Sequence, residues 1–228
     1  MNELAQKLIE ELQCETVFTI PVLGGIPVSE AVVVTWIIMA VLVIVAFIFT
    51  RNLKVDHISK RQAVAESIVT GLMNMVQGMV GEKGRKYVPY LTTVMLYIGV
   101  SNIIGLFGFK SPTKDLRVTV ALALMSIILI EAAGIYHKGV KRWLHGFVEP
   151  VAIVTPINIL EVVTKPLSLC MRLFGNVLGA FVIMELLKMI LPVGLPVVFS
   201  LYFDIFDGLL QAYVFVFLTS LYIDEITE

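Results

Sequence analysis

Charge is what this chain has least of. Asp, Glu, Lys and Arg make up 15% of its 228 residues, against roughly 25% in a soluble domain. Hydrophobic residues reach 58%. So few ionic groups cannot cover a water-facing surface, and a soluble globular domain is excluded. A net charge of −1 also excludes bulk attraction to nucleic acid. The two cysteines, Cys14 and Cys170, are too few for a disulfide framework. A nucleotide-binding loop, a metal-ligand cluster and a nucleophile elbow are missing too, and His57, His137 and His145 are scattered. These absences predict no catalytic residue, metal or cofactor. The opening MNELAQKLIEELQCE is acidic, with no basic region leading into an apolar core. It reads as neither cleavable signal nor transit peptide, and predicts insertion of the intact chain, most simply into a bacterial plasma membrane.

What is present is apolar length. A helix needs about 20 apolar residues to cross the hydrocarbon core, and the sequence offers five such blocks: 31–50, 87–109, 118–136, 151–192 and 193–223. The fold class is therefore all-α integral membrane, with residues 1–30 as an extracytoplasmic tail and 31–228 as one membrane domain. Between the first two blocks, Ile58, Ala65, Ile68, Val69, Leu72, Val76 and Met79 fall on one arc of a helical wheel. Lys60, Glu66, Ser67, Thr70, Asn74 and Gln77 fall on the other. Residues 56–81 thus predict an amphipathic helix lying on the cytoplasmic membrane surface; packing on a soluble partner is the alternative. The connections holding Arg51, Lys54, Lys60, Arg61, Lys83, Arg85 and Lys86, and later Lys138, Lys141 and Arg142, are the basic ones. Positive residues favour the cytoplasm, which puts the N-terminus outside and the C-terminus inside. At about 1.5 Å per residue, a continuous helix over 151–192 would reach roughly 60 Å, twice the bilayer core. A strongly tilted helix, paired with the fifth block as a long hairpin through Pro192, Gly194 and Pro196, fits better.

Several ionic and polar groups sit inside these blocks. Arg172 lies within PLSLCMRLFGN, where a central arginine costs about 2.5–3.5 kcal/mol on insertion scales. Its guanidinium is a fixed positive charge. It either faces an ion path or is buried in a salt bridge to Glu185 or an Asp of the fifth block. Asn176 and Gly179 share its face, and Asp204, Asp207 and Gln211 share one face of the fifth block, extended by Tyr222. Two carboxylates and an amide on one side of an apolar helix read as the wall of a hydrated path, or as charges neutralising Arg172 and Lys188. Glu161 and Thr164 fit an interfacial position as well as an ion path, and Lys165 is expected to snorkel to the headgroups. Glu131 is expected to pair with His137 or Lys138. Ser101 and Asn102 fit helix-packing hydrogen bonds, and Asp115 fits either a turn or a channel mouth. On residues alone, a secondary transporter with an Asp/Arg site is the rival, but it would need internal repeats, and none is visible. A membrane scaffold leaves the intramembrane charges unexplained.

The stretch PLSLCMRLFGNVLGA resembles the arginine helix of subunit a of F-type ATP synthases. KRQAVAES, YVPYLTTVMLYIGVSNIIGLFGF, SPTKDLRVTVALAL and QAYVFVFLTSLYI resemble further family segments, in order, from about Arg51 onward. The resemblance implies a non-catalytic stator subunit beside a rotating ring of c subunits, within a complex that includes the b-subunit stalk. It implies two offset half-channels, separated by the arginine, that load and unload the ring carboxylates with H⁺ or Na⁺. Arg172 then matches that arginine. Asn176 and Gln211 match polar positions near it, Asp204 a position that usually holds His or Glu, and Asp115 an acid of the outer loop. Nine residues after the arginine the family often has Glu or His, whereas this chain has Phe181. Glu185, one turn further on, is expected to take over that role together with Asp204 and Asp207. The expected ion-translocation set is Arg172, Asn176, Glu185, Asp204, Asp207, Gln211, Asp115 and Glu161.

Overall fold

A computed structural model describes residues 16–20, 26–51, 59–107, 109, 111–146, 155–190 and 194–227. A short antiparallel hairpin pairs β1 (Thr16–Ile20) with β2 (Ile26–Ser29) and leads into helix α1 (Glu30–Thr50). Helix α2 (Lys60–Gln77) starts at Ser59, whose hydroxyl accepts the backbone N–H of Gln62 at 3.3 Å, satisfying one of the donors that every helix start leaves open. After a 3₁₀ turn (Glu82–Tyr87) come α3 (Val88–Ile103) and α4 (Leu116–Lys138). Gly139, at φ 78°, ends α4 and permits the turn into the short α5 (Val140–Gly146). Helix α6 (Thr155–Ile190) returns across the molecule, and Gly194 at φ 89° supports the turn that follows. The last element is α7 (Leu195–Ser200), a π-helical stretch (Leu201–Asp207) and α8 (Gly208–Thr227), running on from one another.

Five of these helical stretches are long and apolar enough to cross a membrane: Glu30–Thr50, Gly84–Phe107, Leu116–Lys138, Thr155–Lys188 and Val198–Thr227. The chain is a multi-pass, all-α membrane protein, in agreement with the five apolar blocks. The surface helix is shorter at its described ends than the 56–81 expected, with residues 56–58 outside the described residues. The strand pair at 16–29 was not anticipated. Nor was the π-helix, in which the backbone bonds to the fifth residue along, so that each turn is wider.

Helices α3, α4 and α8 pack into the core, α6 lies against α4 and more lightly against α8, and α1 touches the bundle mainly near its start. Lipid tails are as apolar as Leu, so helices in a bilayer are held by close packing and interhelical hydrogen bonds, not by escape from water. Both devices are present. Ile98, Leu91, Phe215, Val216, Ile130 and Leu173 are fully enclosed. The side-chain amide of Asn102 donates to the Gly208 carbonyl at 2.9 Å, and Thr113 donates to Asn102 Oδ1 at 2.8 Å. The expected packing role of Asn102 is thus what the fold uses. Of the apolar arc of α2, Val76 is enclosed, while Ile68 and Val69 remain exposed.

Candidate functional site

Arg172 stands at the midpoint of α6. Leu169, Cys170 and Leu173 beside it are buried, and Cys170 Sγ donates to Thr119 Oγ1 of α4 at 3.6 Å. That face is therefore fixed against the bundle, and Arg172 is turned to the other side, exposed. Among the described residues no ion pair involves it. Glu185, one of the partners considered for it, instead binds Lys188 at 2.6 Å, an i,i+3 pair along α6. The salt-bridge reading of Arg172 is thereby corrected.

On one side of this arginine, toward the hairpin end of the bundle, lies a cavity of about 460 Å³. Its wall includes Glu185 from α6, Asp204 and Asp207 from the π-helical stretch, and Gln211 from α8. Glu185 meets the other three, which lie on another helix, because α6 and the final helix run antiparallel. Ser200 Oγ donates to Asp204 Oδ2 at 2.7 Å. Gln211 is 2% exposed, and its amide oxygen accepts from Asn176 Nδ2 at 2.6 Å. Asn176 lies one turn from Arg172 on α6, so this bond joins the deep end of the cavity to the arginine's face.

Two cations share the cavity wall, Lys114 and Lys188. Lys114 Nζ sits 4.0 Å from the ring centroid of Phe181. The contact went unforeseen because it joins a loop to a helix distant in sequence, although the missing acid at position 181 was a signal. Asp115 does not line the cavity. It is 7% exposed, its Oδ1 caps α4 by accepting the Arg117 N–H at 2.9 Å, and its Oδ2 accepts from Ser29 Oγ at 2.9 Å. That is the turn role weighed for it, with an added tie to the start of α1.

Glu161 lies apart, toward the other end of α6. Lys165 Nζ is 3.0 Å from Glu225 Oε2 of α8 and 3.7 Å from Glu161 Oε2, and lies over the Tyr222 ring at 5.2 Å. Lys165 thus clasps α6 to α8 instead of reaching out alone. Glu131 accepts from Trp143 Nε1 of α5 at 2.9 Å, not from His137 or Lys138 as expected. No group of three or more His, Cys, Asp or Glu suited to a metal ion occurs among the described residues.

The sequence model of the ATP synthase A chain family matches residues 32–224. The chain belongs to that family. It is 36% identical over 203 residues to "ATP synthase subunit a" of Moorella thermoacetica, a span covering 88% of this chain and 92% of the relative. Over 215 residues it is 35% identical to "ATP synthase subunit a, sodium ion specific" of Propionigenium modestum, covering 87% and 74%. Over 208 residues it is 34% identical to "ATP synthase subunit a 1" of Chlorobaculum parvum, covering 90% and 91%. As an ATP synthase A chain, it combines an exposed mid-helix arginine with a carboxylate-lined cavity on one side of it.

Proposed function

We propose that this chain is the ion-translocating stator subunit a of an F-type ATP synthase, supplying two offset half-channels to a ring of c subunits. The observation that carries the reading is Arg172 exposed at the centre of α6 while the cavity holding Glu185, Asp204 and Asp207 opens to one side of it only. A mid-span charge facing lipid is expensive, and a partner bearing a carboxylate at that depth would remove the expense. The cavity serves as the outer half-channel, with Glu185, Asp204 and Asp207 as its acids and Gln211 and Asn176 as its inner limit. The cluster of Glu161, Lys165, Tyr222 and Glu225 lies where the inner half-channel opens. Asp115 holds the outer loop to the start of α1. The N-terminal tail is outside, the C-terminus cytoplasmic, and the b-subunit stalk completes the stator.

The physics follows from charge and desolvation. A neutralised ring carboxylate can cross lipid, whereas a bare carboxylate cannot, because leaving water unpaired is prohibitive. Beside Arg172 the charged form is favoured by about 4 kcal/mol, taking a separation of about 4 Å and an effective dielectric of about 20. The site therefore releases its ion into one half-channel and reloads from the other. The guanidinium also blocks direct passage between them. A membrane potential supplies about 2.3 kcal/mol per charge per 100 mV, which biases the direction.

In the assembled synthase, Arg172→Ala is expected to abolish ATP-driven pumping while assembly persists and passive ion leak appears. Coupled pumping at the wild-type rate would refute the barrier role. Asp204→Asn and Glu185→Gln should each reduce ion flux. If Glu185→Gln left flux intact while Asp204→Asn abolished it, Glu185 would have no share in the acid role.

A further inference from the structure

We propose that Ser200 is a positioning residue for Asp204: its hydroxyl engages one carboxylate oxygen and leaves the other to meet the entering ion. The inference rests on the reading above, in which the cavity is the outer half-channel. Ser200 ends α7, one turn before Asp204, and residues four apart share a face of a helix. Its Oγ donates to Asp204 Oδ2 at 2.7 Å. The other oxygen, Oδ1, is the one nearer Gly105, in the 3₁₀ turn Ile104–Phe107 that follows α3. A Cβ on Gly105 would lie 3.1 Å from Oδ1 and 3.8 Å from Oδ2. Ser200, Asp204 and Gly105 all line the cavity, so glycine at 105 keeps a side chain out of the space beside Oδ1.

The chemistry of the donor gives the contact its effect. The other charged groups on the cavity wall are Glu185, Lys188, Asp207 and Lys114. Glu185 is matched by the Lys188 ammonium at 2.6 Å, a partner with which an arriving cation competes. Lys114 Nζ lies over the Phe181 ring at 4.0 Å, and Asp207 follows Asp204 along the wall toward Gln211. A hydroxyl is neutral: it orients a carboxylate through a charge-assisted hydrogen bond and does not cancel its charge. A donor of this kind favours the charged, unloaded form of the acid. Ser200 thus stops Asp204 from holding its ion so tightly that the ion cannot pass inward.

Purified synthase carrying each variant is reconstituted in vesicles, and ATP synthesis is measured against the H⁺ or Na⁺ concentration in the lumen, which faces the outer half-channel. Ser200→Ala is expected to lower the half-saturating ion concentration roughly tenfold, the effect of losing one hydrogen bond to a charged group. The maximal rate should stay within about threefold, since the Arg172 step is untouched. Ser200→Thr keeps the hydroxyl and should behave as wild type. Ser200→Val matches threonine in shape but lacks the hydroxyl, and should shift as alanine does. Gly105→Ala, which crowds Oδ1, should instead raise the half-saturating concentration about threefold or more. Unchanged half-saturation in Ser200→Ala and Ser200→Val, an equal shift in Ser200→Thr, a fall in maximal rate alone, or failure of both hydroxyl-free variants to assemble would overturn the proposal. Wild-type half-saturation in Gly105→Ala would also overturn it, since Oδ1 would then not be where ions bind. Arg172→Ala and Asp204→Asn run alongside: wild-type behaviour there sinks the half-channel reading itself. Their loss of synthesis together with an unshifted Ser200→Ala sinks only this inference.

Discussion

A Cβ placed on Gly208 would lie 2.7 Å from Asn102 Cβ, closer than carbon atoms tolerate, so α3 and α8 meet at a point that glycine alone permits. The same approach lets Asn102 reach the Gly208 carbonyl at 2.9 Å. Gly208→Val should force the two helices apart, destabilising the fold by about 1–3 kcal/mol, and lower the amount of assembled subunit seen in membrane extracts. Undiminished assembly would show that the contact is slack. At this scale the sequence was partly legible. The polar residues inside apolar blocks, Arg172, Asn176, Glu185, Asp204, Asp207 and Gln211, could be picked out because an ionic or amide group in lipid needs a reason. Their partners could not. Lys114 on Phe181, Trp143 on Glu131 and Lys165 on Glu225 each join elements whose relative register no single-chain pattern encodes. The Lys188–Glu185 pair, by contrast, is implicit in i,i+3 spacing on a helix.

The π-helical stretch Leu201–Asp207 is the element that most alters the reading of the final block. The hydrophobic pattern there marks only an apolar helix, since side-chain type does not report whether a backbone N–H bonds four or five residues back. Gly208 N–H lies within reach of both the Phe203 and Ile205 carbonyls, which marks where the wider turns give way to α8. Inserting one alanine between Asp207 and Gly208, where α8 begins, should turn Asp204 by about 100° relative to Gln211. The variant should assemble yet pump at least about tenfold more slowly if that turn costs about 1.4 kcal/mol or more of transition-state stabilisation. Full pumping would mean that the position of Asp204 on the cavity wall is immaterial. The long helices were legible because their apolar runs match bilayer thickness. The strand pair Thr16–Ile20 and Ile26–Ser29 was not, being short and outside any such run.

The molecule as a whole is asymmetric. One side of α6 is packed on α4, and the other carries Arg172 and Asn176 outward. Its sidedness in the membrane can be tested directly. With Cys14 replaced by Ser, and Cys170 buried, new cysteines at the exposed positions Lys60, Lys141 and Val17 should report separately. An impermeant maleimide should label Lys60→Cys and Lys141→Cys only in inside-out vesicles, and Val17→Cys only in intact cells. The opposite pattern would invert the proposed orientation.

Helix α6 has 36 residues, about 54 Å at 1.5 Å per residue, against a hydrocarbon core of about 30 Å. A rod that long must lean, and a thinner bilayer makes it lean further. Because Arg172 occupies the middle of the rod, it acts as the fulcrum, and its depth barely changes as the lean varies. Glu185 and Lys188, far out on one arm, sweep sideways and change depth instead. Shorter or longer acyl chains should therefore alter how readily ions are captured at the mouth while leaving the central charge at the bilayer midplane.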